Sequence, residues 1–231
     1  MVASSRRFVE CEASAYRRHS HCWIRGQDVG FYRNIILPHL CDLSMRSTLL
    51  LPYRERIVGS AEGTVLEIGA GSGLNLPLYG AGVREVLALE PDPRLLEMAR
   101  RNATQTRRPV TFLDASAEAI PLEDRSVDTV VTTWTLCTIA EAIRALQEMR
   151  RVLKPTGRLL FVEHGLAPDE GTRKWQNRLT PVWKHVSGGC HLNRPIRIMI
   201  ERSGFRIEKI DTGYAPGPRF ATFMYEGSAR P

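Results

Sequence analysis

Residues 65–73 read Val65-Leu66-Glu67-Ile68-Gly69-Ala70-Gly71-Ser72-Gly73, a short apolar run passing straight into three alternating glycines. An apolar run of strand length closed by glycines predicts a strand over Thr64–Ile68 that feeds a tight turn. Glycine permits positive φ and close backbone approach, so Gly69, Ala70, Gly71 and Gly73 can wrap a ligand without a side-chain clash. The competing pattern is the dinucleotide fingerprint, in which a third glycine lets helix and strand pack closely. Leu74 stands at that position here. The spacing therefore favours a cofactor without a pyrophosphate. Glu67 agrees, because a carboxylate suits an ammonium group and repels a phosphate.

Downstream the pattern alternates. Strands are predicted over Glu85–Leu89, Val110–Leu113, Ser126–Thr132 and Arg158–Val162. Between them lie a short helix starting at Asn75–Tyr79, a helix over Pro93–Asn102, and one over Glu141–Leu153 that stops before Pro155-Thr156-Gly157. Such alternation calls for a parallel sheet with helices on both faces. Residues 168–204 read as helical, and Phe205–Asp211 with Phe220–Glu226 alternate like a closing strand pair. Upstream, residues 31–60 carry apolar residues at helical spacing, with Pro38 and Pro52 suited to helix starts. The expected fold is α/β: a doubly wound, mostly parallel seven-stranded sheet with an antiparallel closing strand, in one domain over residues 29–231. Residues 1–28 hold five Arg and two Cys without a sustained apolar period, and are expected to be a disordered extension or a start-site artefact.

Composition narrows the class. The chain has 231 residues, 43% hydrophobic and 25% charged, which suits an ordinary soluble domain. The formal charge is +7, carried almost wholly by Arg, since Lys154, Lys174, Lys184 and Lys209 are the only lysines. The arginines are spread along the chain, with pairs such as Arg100-Arg101 and Arg150-Arg151 near helix ends, where cations complement the dipole. No basic–aromatic cluster appears, so no nucleic-acid partner is expected. The five cysteines are odd in number and widely spaced, with no Cys-x-x-Cys pair. That pattern disfavours a disulfide framework and a zinc site, and favours a reducing, cytoplasmic compartment. No apolar run is long enough to span a membrane, although the basic N-terminal stretch allows peripheral membrane contact.

The second strand ends in Glu90-Pro91, 17 residues after Gly73. A carboxylate there can accept both ribose hydroxyls of an adenosine. With these features in place, the sequence resembles the class I S-adenosylmethionine-dependent methyltransferases over about residues 31–228. That resemblance implies S-adenosylmethionine as cofactor and a Rossmann-like methyltransferase fold. It also implies an adenine-contacting segment at Ser116-Ala117-Glu118-Ala119-Ile120-Pro121-Leu122, where family members often carry Asp in place of Ser116. A narrower resemblance, to the thiol S-methyltransferases of animal membranes and their bacterial relatives, rests on Thr133-Trp134-Thr135-Leu136-Cys137, Val162-Glu163-His164, Trp175, Trp183-Lys184, Gly189-Cys190 and Arg194. It implies a small-molecule acceptor with a thiol first. Quinone, phenol or phospholipid-amine acceptors, or a non-catalytic membrane-associated module, are the alternatives.

In open α/β sheets the ligand crevice lies beyond the carboxyl ends of the strands. Thr133 and Trp134 at the end of the fourth strand, and Glu163 and His164 at the end of the fifth, should therefore face the methyl group. His164 is the expected base or substrate-orienting residue, because imidazole titrates near neutrality. Cys137 reads as a small buried residue, and the segment 168–204 as a substrate lid with Trp175 and Trp183 packed inward. Cys190-His191 with His164 and His185 raises a metal, but the irregular spacing argues for none.

Overall fold

The computed structural model describes Gly30 and residues 36–231; the reading of residues 1–28 lies outside them. Seven strands form one sheet: β1 (Gly63–Ile68), β2 (Val83–Leu89), β3 (Val110–Leu113), β4 (Val127–Thr133), β5 (Leu153–His164), β6 (Arg206–Tyr214) and β7 (Phe223–Arg230). Their order is β3-β2-β1-β4-β5-β7-β6. Strands β1 to β5 pair in parallel, and β7 runs antiparallel to both β5 and β6. The fold is α/β, doubly wound and mostly parallel. Strand order reverses between β1 and β4, which opens a crevice at their carboxyl ends.

Side-chain alternation along the strands divides the core in two. Leu66, Val130, Leu159 and Phe161 face a cluster with Leu146, Met149, Ile196 and Ile200. Val65, Val131, Leu160 and Val162 face the opposite cluster with Ile57 and Val58. The covering helices are α1 (Leu37–Met45), α2 (Leu51–Gly59), α3 (Pro93–Asn102), α4 (Ala142–Val152), α5 (Glu170–Val186) and α6 (Ile196–Arg202). Pro38 and Pro52 fall in the first turns of α1 and α2, where a missing N–H costs nothing. The Asp92 side chain caps α3 by accepting from the Arg94 and Leu95 N–H groups, and Asp169 caps α5 through Thr172 N–H.

Several boundaries differ from the sequence expectation. The helix expected from Asn75 is a single 3₁₀ turn over Leu76–Leu78, because the Asn75 side chain turns inward to the strand ends. Strand β5 begins at Leu153, so Pro155-Thr156-Gly157 lies within the strand rather than before it. Strand β7 continues to Arg230 past Gly227, where the alternation seemed to stop. A Cβ on Gly227 would lie 2.1 Å from the Lys209 carbonyl oxygen; the glycine marks close backbone approach, not a strand end. Within residues 168–204, a loop separates α5 from α6.

Helix α5 also corrects the expected packing of the tryptophans. Its buried face is polar, formed by Thr172, Gln176 and Thr180, while Trp175 is 58% exposed. Gln176 explains the inversion. Its side chain accepts from Ala167 N–H at 2.9 Å and donates to the Gly165 and Phe220 carbonyls at 2.9 and 3.1 Å. Those three bonds tie α5 to the rim of the sheet. Trp183 is half-buried, edge-on to Phe220 at 6.1 Å.

Candidate functional site

The β1 turn is built by backbone conformation. Gly69, Gly71 and Gly73 all have positive φ, at 64°, 57° and 80°, and Ala70 N–H binds the Leu89 carbonyl at 3.0 Å. The three glycines serve different purposes. A Cβ on Gly69 would sit 2.4 Å from Thr135 Cγ2, and one on Gly73 would sit 3.0 Å from Ala99 Cα on α3. Gly73 thus takes the helix-packing role that Leu74 cannot. A Cβ on Gly71 would meet nothing nearer than the Gly69 carbonyl at 3.9 Å. Among the described residues, that space is open.

Glu90 closes the turn from β2. Its Oε2 accepts from Gly71 N–H at 2.9 Å and its Oε1 from Asp92 N–H at 3.0 Å. A carboxylate offers about four acceptor positions, so each oxygen retains one for a vicinal hydroxyl. Burial raises the Glu90 carboxyl, and the two N–H groups pull it back. Pro91 beside it is exposed. After β3, Ala117 is buried in the core next to the turn. The Ser116 hydroxyl is engaged by Glu118.

Glu67 sits deeper than its sequence role suggested. It is 2% exposed, with Oε1 accepting from Asn75 Nδ2 and Oε2 from the Tyr79 hydroxyl, both at 2.9 Å. Asn75 Nδ2 also donates to Thr133 Oγ1 at 3.0 Å, and Asn75 Oδ1 accepts from Arg54 Nη1. This network joins the ends of β1 and β4 to α2. Trp134, at φ 51°, turns its ring away from the turn to lie edge-on to Tyr53 and under the Arg54 guanidinium. Thr133 lies at the crevice, whereas the Trp134 ring belongs to the packing beneath it.

Burial pushes the Glu67 carboxyl up to about 7, against the pull of Tyr79, Asn75 and Arg54. A carboxyl raised on folding makes the native state bind more protons than the unfolded chain between its two pKa values. Stability is then greatest at low pH and falls as pH rises through 7. Between pH 5 and 8 the wild type should lose about 2–3 kcal/mol relative to Glu67→Gln. Urea unfolding of both proteins across that range checks this, and parallel pH slopes refute it.

At the end of β5, Glu163 is fully buried. Its Oε1 accepts from Thr132 Oγ1 at 2.8 Å and Thr135 N–H at 3.0 Å, and its Oε2 from Leu136 N–H at 3.1 Å. These bonds fix the loop after β4. Burial raises this carboxyl to about 8, with the neighbouring Cys137 sulfur adding to the effect.

That loop delivers Cys137 to His164. The return loop of α5 supplies Cys190: Gly188 and Gly189 take positive φ, and the next backbone N–H, of His191, binds the Cys137 carbonyl at 2.9 Å. Arg194 Nη1 donates to the Leu136 carbonyl at 2.7 Å. His164 Nε2 lies 3.2 Å from Cys190 Sγ, and the ligand atoms of Cys137, His164 and Cys190 all lie within 4.8 Å of one another. Burial lowers His164, but the Cys137 sulfur outweighs it and raises the imidazole overall. Cys137 is drawn well below an ordinary thiol by the hydrogen bond from Cys190, with His164 adding to it, while the same contact pushes Cys190 up. Sequence spacing predicted neither this cluster nor the Arg54–Asn75–Glu67–Tyr79 network. Its members are distant in the chain; the strand-end positions of His164 and Glu67, and the presence of Cys190 and His164 as ligand types, were the hints.

A methyltransferase-domain family model matches residues 66–161, from β1 into β5. The matched segment is a methyltransferase domain, set in a Rossmann-like methyltransferase fold. It is 36% identical over 164 residues to the rat thiol S-methyltransferase TMT1B, covering 69% of this chain and 66%, just under two thirds, of the rat protein's length. It is also 33% identical over 104 residues to the demethylmenaquinone methyltransferase of Clavibacter sepedonicus, covering 45% of this chain and 42% of that one. Among solved structures, a methyltransferase of Thermotoga maritima described as a possible histamine N-methyltransferase superposes with a TM-score of 0.62 at 22% identity. That match spans 87% of this chain and 98% of the other, and shows the shared fold.

Proposed function

We propose that this chain transfers a methyl group from S-adenosylmethionine to the sulfur of a small thiol. The carrying observation is an open glycine cradle at β1 together with a buried cluster of Cys137, His164 and Cys190 gathered at the end of β5. When bound, S-adenosylmethionine supplies an already activated sulfonium methyl. Gly69, Ala70, Gly71 and Gly73 shape its cradle, Glu90 and Pro91 flank the ribose position, and Ser116 and Ala117 flank the adenine position. Glu67, buried behind Asn75 and Tyr79, acts on the donor's ammonium through its field and through Asn75. Thr133 and the Trp134 backbone form the crevice wall between donor and acceptor.

His164 is the residue that orients the acceptor. A thiol is a few per cent thiolate at neutral pH and needs little proton removal, so positioning carries most of the work. The acceptor's sulfur lone pair forms the new S–C bond as the sulfonium C–S bond breaks, and the thiol proton leaves to solvent. A reducing, cytoplasmic setting belongs to this reading, because Cys137 and Cys190 must remain thiols. Among the described residues, no helix is long and apolar enough to cross a membrane.

The test is incubation of the 231-residue chain with labelled methyl donor and a panel of alkyl and aryl thiols. Quinols, phenols and lipid amines run alongside. A methyl thioether product is expected; methylation of a quinol or amine alone overturns the thiol reading. His164→Ala should lower kcat/KM for the thiol by about 10²–10³-fold and leave the donor Kd unchanged. An equal loss of donor affinity would instead make His164 structural.

A further inference from the structure

We propose that Cys137, His164 and Cys190 form a three-ligand zinc site whose fourth position takes the acceptor's sulfur. The inference rests on the thiol reading above and specifies how the acceptor is held. It gives His164 the task of ligating a metal.

Three observations carry it. The first is the donor set. Two sulfurs and one imidazole nitrogen, all within 4.8 Å of one another, are the soft and borderline ligands that select zinc. Tetrahedral zinc, with bonds of about 2.3 Å to sulfur and 2.0–2.1 Å to nitrogen, needs S···S near 3.8 Å and S···N near 3.5 Å. The 3.2 Å between His164 Nε2 and Cys190 Sγ is within a few tenths of an ångström of that separation.

The second is what the cluster leaves unsatisfied without a metal. Thiols are weak donors and acceptors, and the buried Trp183 Nε1 beside this cluster has no hydrogen-bond partner of ordinary geometry among the described residues. Trp183 faces Cys190. An indole N–H beside a thiol gains little, whereas beside a metal-bound thiolate it meets a charged acceptor, the usual outer contact of such a ligand.

The third is preorganisation. Cys137 is held by the Glu163-bound loop, and Cys190 by a turn tied to Lys184, Ser187 and Cys137 through backbone bonds. Arg194, half-buried against Leu136, lends positive charge to the thiolate side. Closed structural zinc sites have four protein ligands; three with an open position is the catalytic pattern. Cys41 on α1 is near enough to feel the Cys137 charge, but it stands outside the cluster.

On binding, the acceptor thiol exchanges its proton to solvent for a bond to zinc and arrives as thiolate. Charge stays balanced: zinc and two protein thiolates are neutral with a neutral imidazole, and the bound thiolate's charge cancels the sulfonium's.

The test uses the 231-residue chain, reduced, stripped with chelator and titrated with Co²⁺ as a spectroscopic stand-in for zinc. One equivalent should bind with a thiolate-to-cobalt charge-transfer band, and Zn²⁺ should displace it. Cys190→Ser should weaken binding at least tenfold and reduce the band by about half. Cys41→Ser should leave both unchanged. Adding a small thiol should shift the cobalt d–d bands. A thermal shift with S-adenosylhomocysteine verifies that each variant is folded. No stoichiometric uptake by the wild type overturns the proposal, as does a band indifferent to Cys190→Ser. Loss of the band in Cys41→Ser, or d–d bands blind to thiol, overturns the open position. Thiol methylation by metal-free protein would leave the function standing and remove the metal.

Discussion

Replacing Gly71 by alanine leaves the protein folded but takes away its hold on the methyl donor. The added Cβ meets no non-neighbouring atom of the described residues closer than 3.9 Å, so the cost to the free protein is the strain of φ 57° on alanine, about 1–2 kcal/mol. In the complex, that methyl group occupies space meant for the ligand. Overpacking of this kind costs about 1–3 kcal/mol, or roughly a 5- to 150-fold rise in Kd. For the wild type, S-adenosylhomocysteine at 100 times its Kd should stabilise the fold by about 2.7 kcal/mol. Thermal shift and titration calorimetry on both proteins measure the difference, and an unchanged Kd would remove the donor from this turn. Gly69→Ala makes the contrasting control. There the Cβ would lie 2.4 Å from Thr135 Cγ2, so the free protein itself should lose stability.

Glu163→Ala should give the largest loss of stability among changes at the site. It strands three buried donors at once: the Thr132 hydroxyl and the N–H groups of Thr135 and Leu136. Each unsatisfied donor costs about 1–3 kcal/mol, partly offset because a buried acid is also removed. A net loss of about 3 kcal/mol corresponds to a fall in Tm of about 6–12 °C for a domain of this size. Released from Glu163, the loop no longer presents Cys137 to His164, so thiol turnover should fall further than donor affinity. Glu163→Gln keeps the shape and one oxygen, setting its amide against a single N–H, and should lose less. A Tm for the alanine variant within 2 °C of wild type would show that water replaces the carboxylate.

The parts of this molecule written in consecutive residues were legible before the structure. The glycine turn, Leu74 in place of a third glycine, and Glu90 at the next strand end are local signals, and they led to the fold and to the proposed donor cradle. What local pattern missed were interactions between distant segments. Cys137, His164 and Cys190 are separated by 27 and 26 residues, and no spacing rule for metal ligands covers such a set. Gln176 illustrates the same limit on the fold side. A helix with Trp175, Leu179 and Trp183 four residues apart looks apolar inward, yet three hydrogen bonds at one amide rotate it the other way. Glu67 shows how local pattern gives a residue too simple a role: a strand-end acid looked free to meet an ammonium, and the structure buries it against Asn75 and Tyr79.

The placement of β7 between β5 and β6 bears on how the molecule is made. Strand β6 leaves the ribosome first, but its only partner in the sheet is the strand that follows it. Until β7 threads between them, β5 offers a bare row of backbone donors and acceptors, the kind of template on which chains associate wrongly. Synthesis therefore passes through a window in which the glycine turn after β1 has been made while the sheet is still open beyond β5. Early ligand binding at β1 and β2 can stabilise that half, but only the arrival of Phe223–Arg230 seals the other.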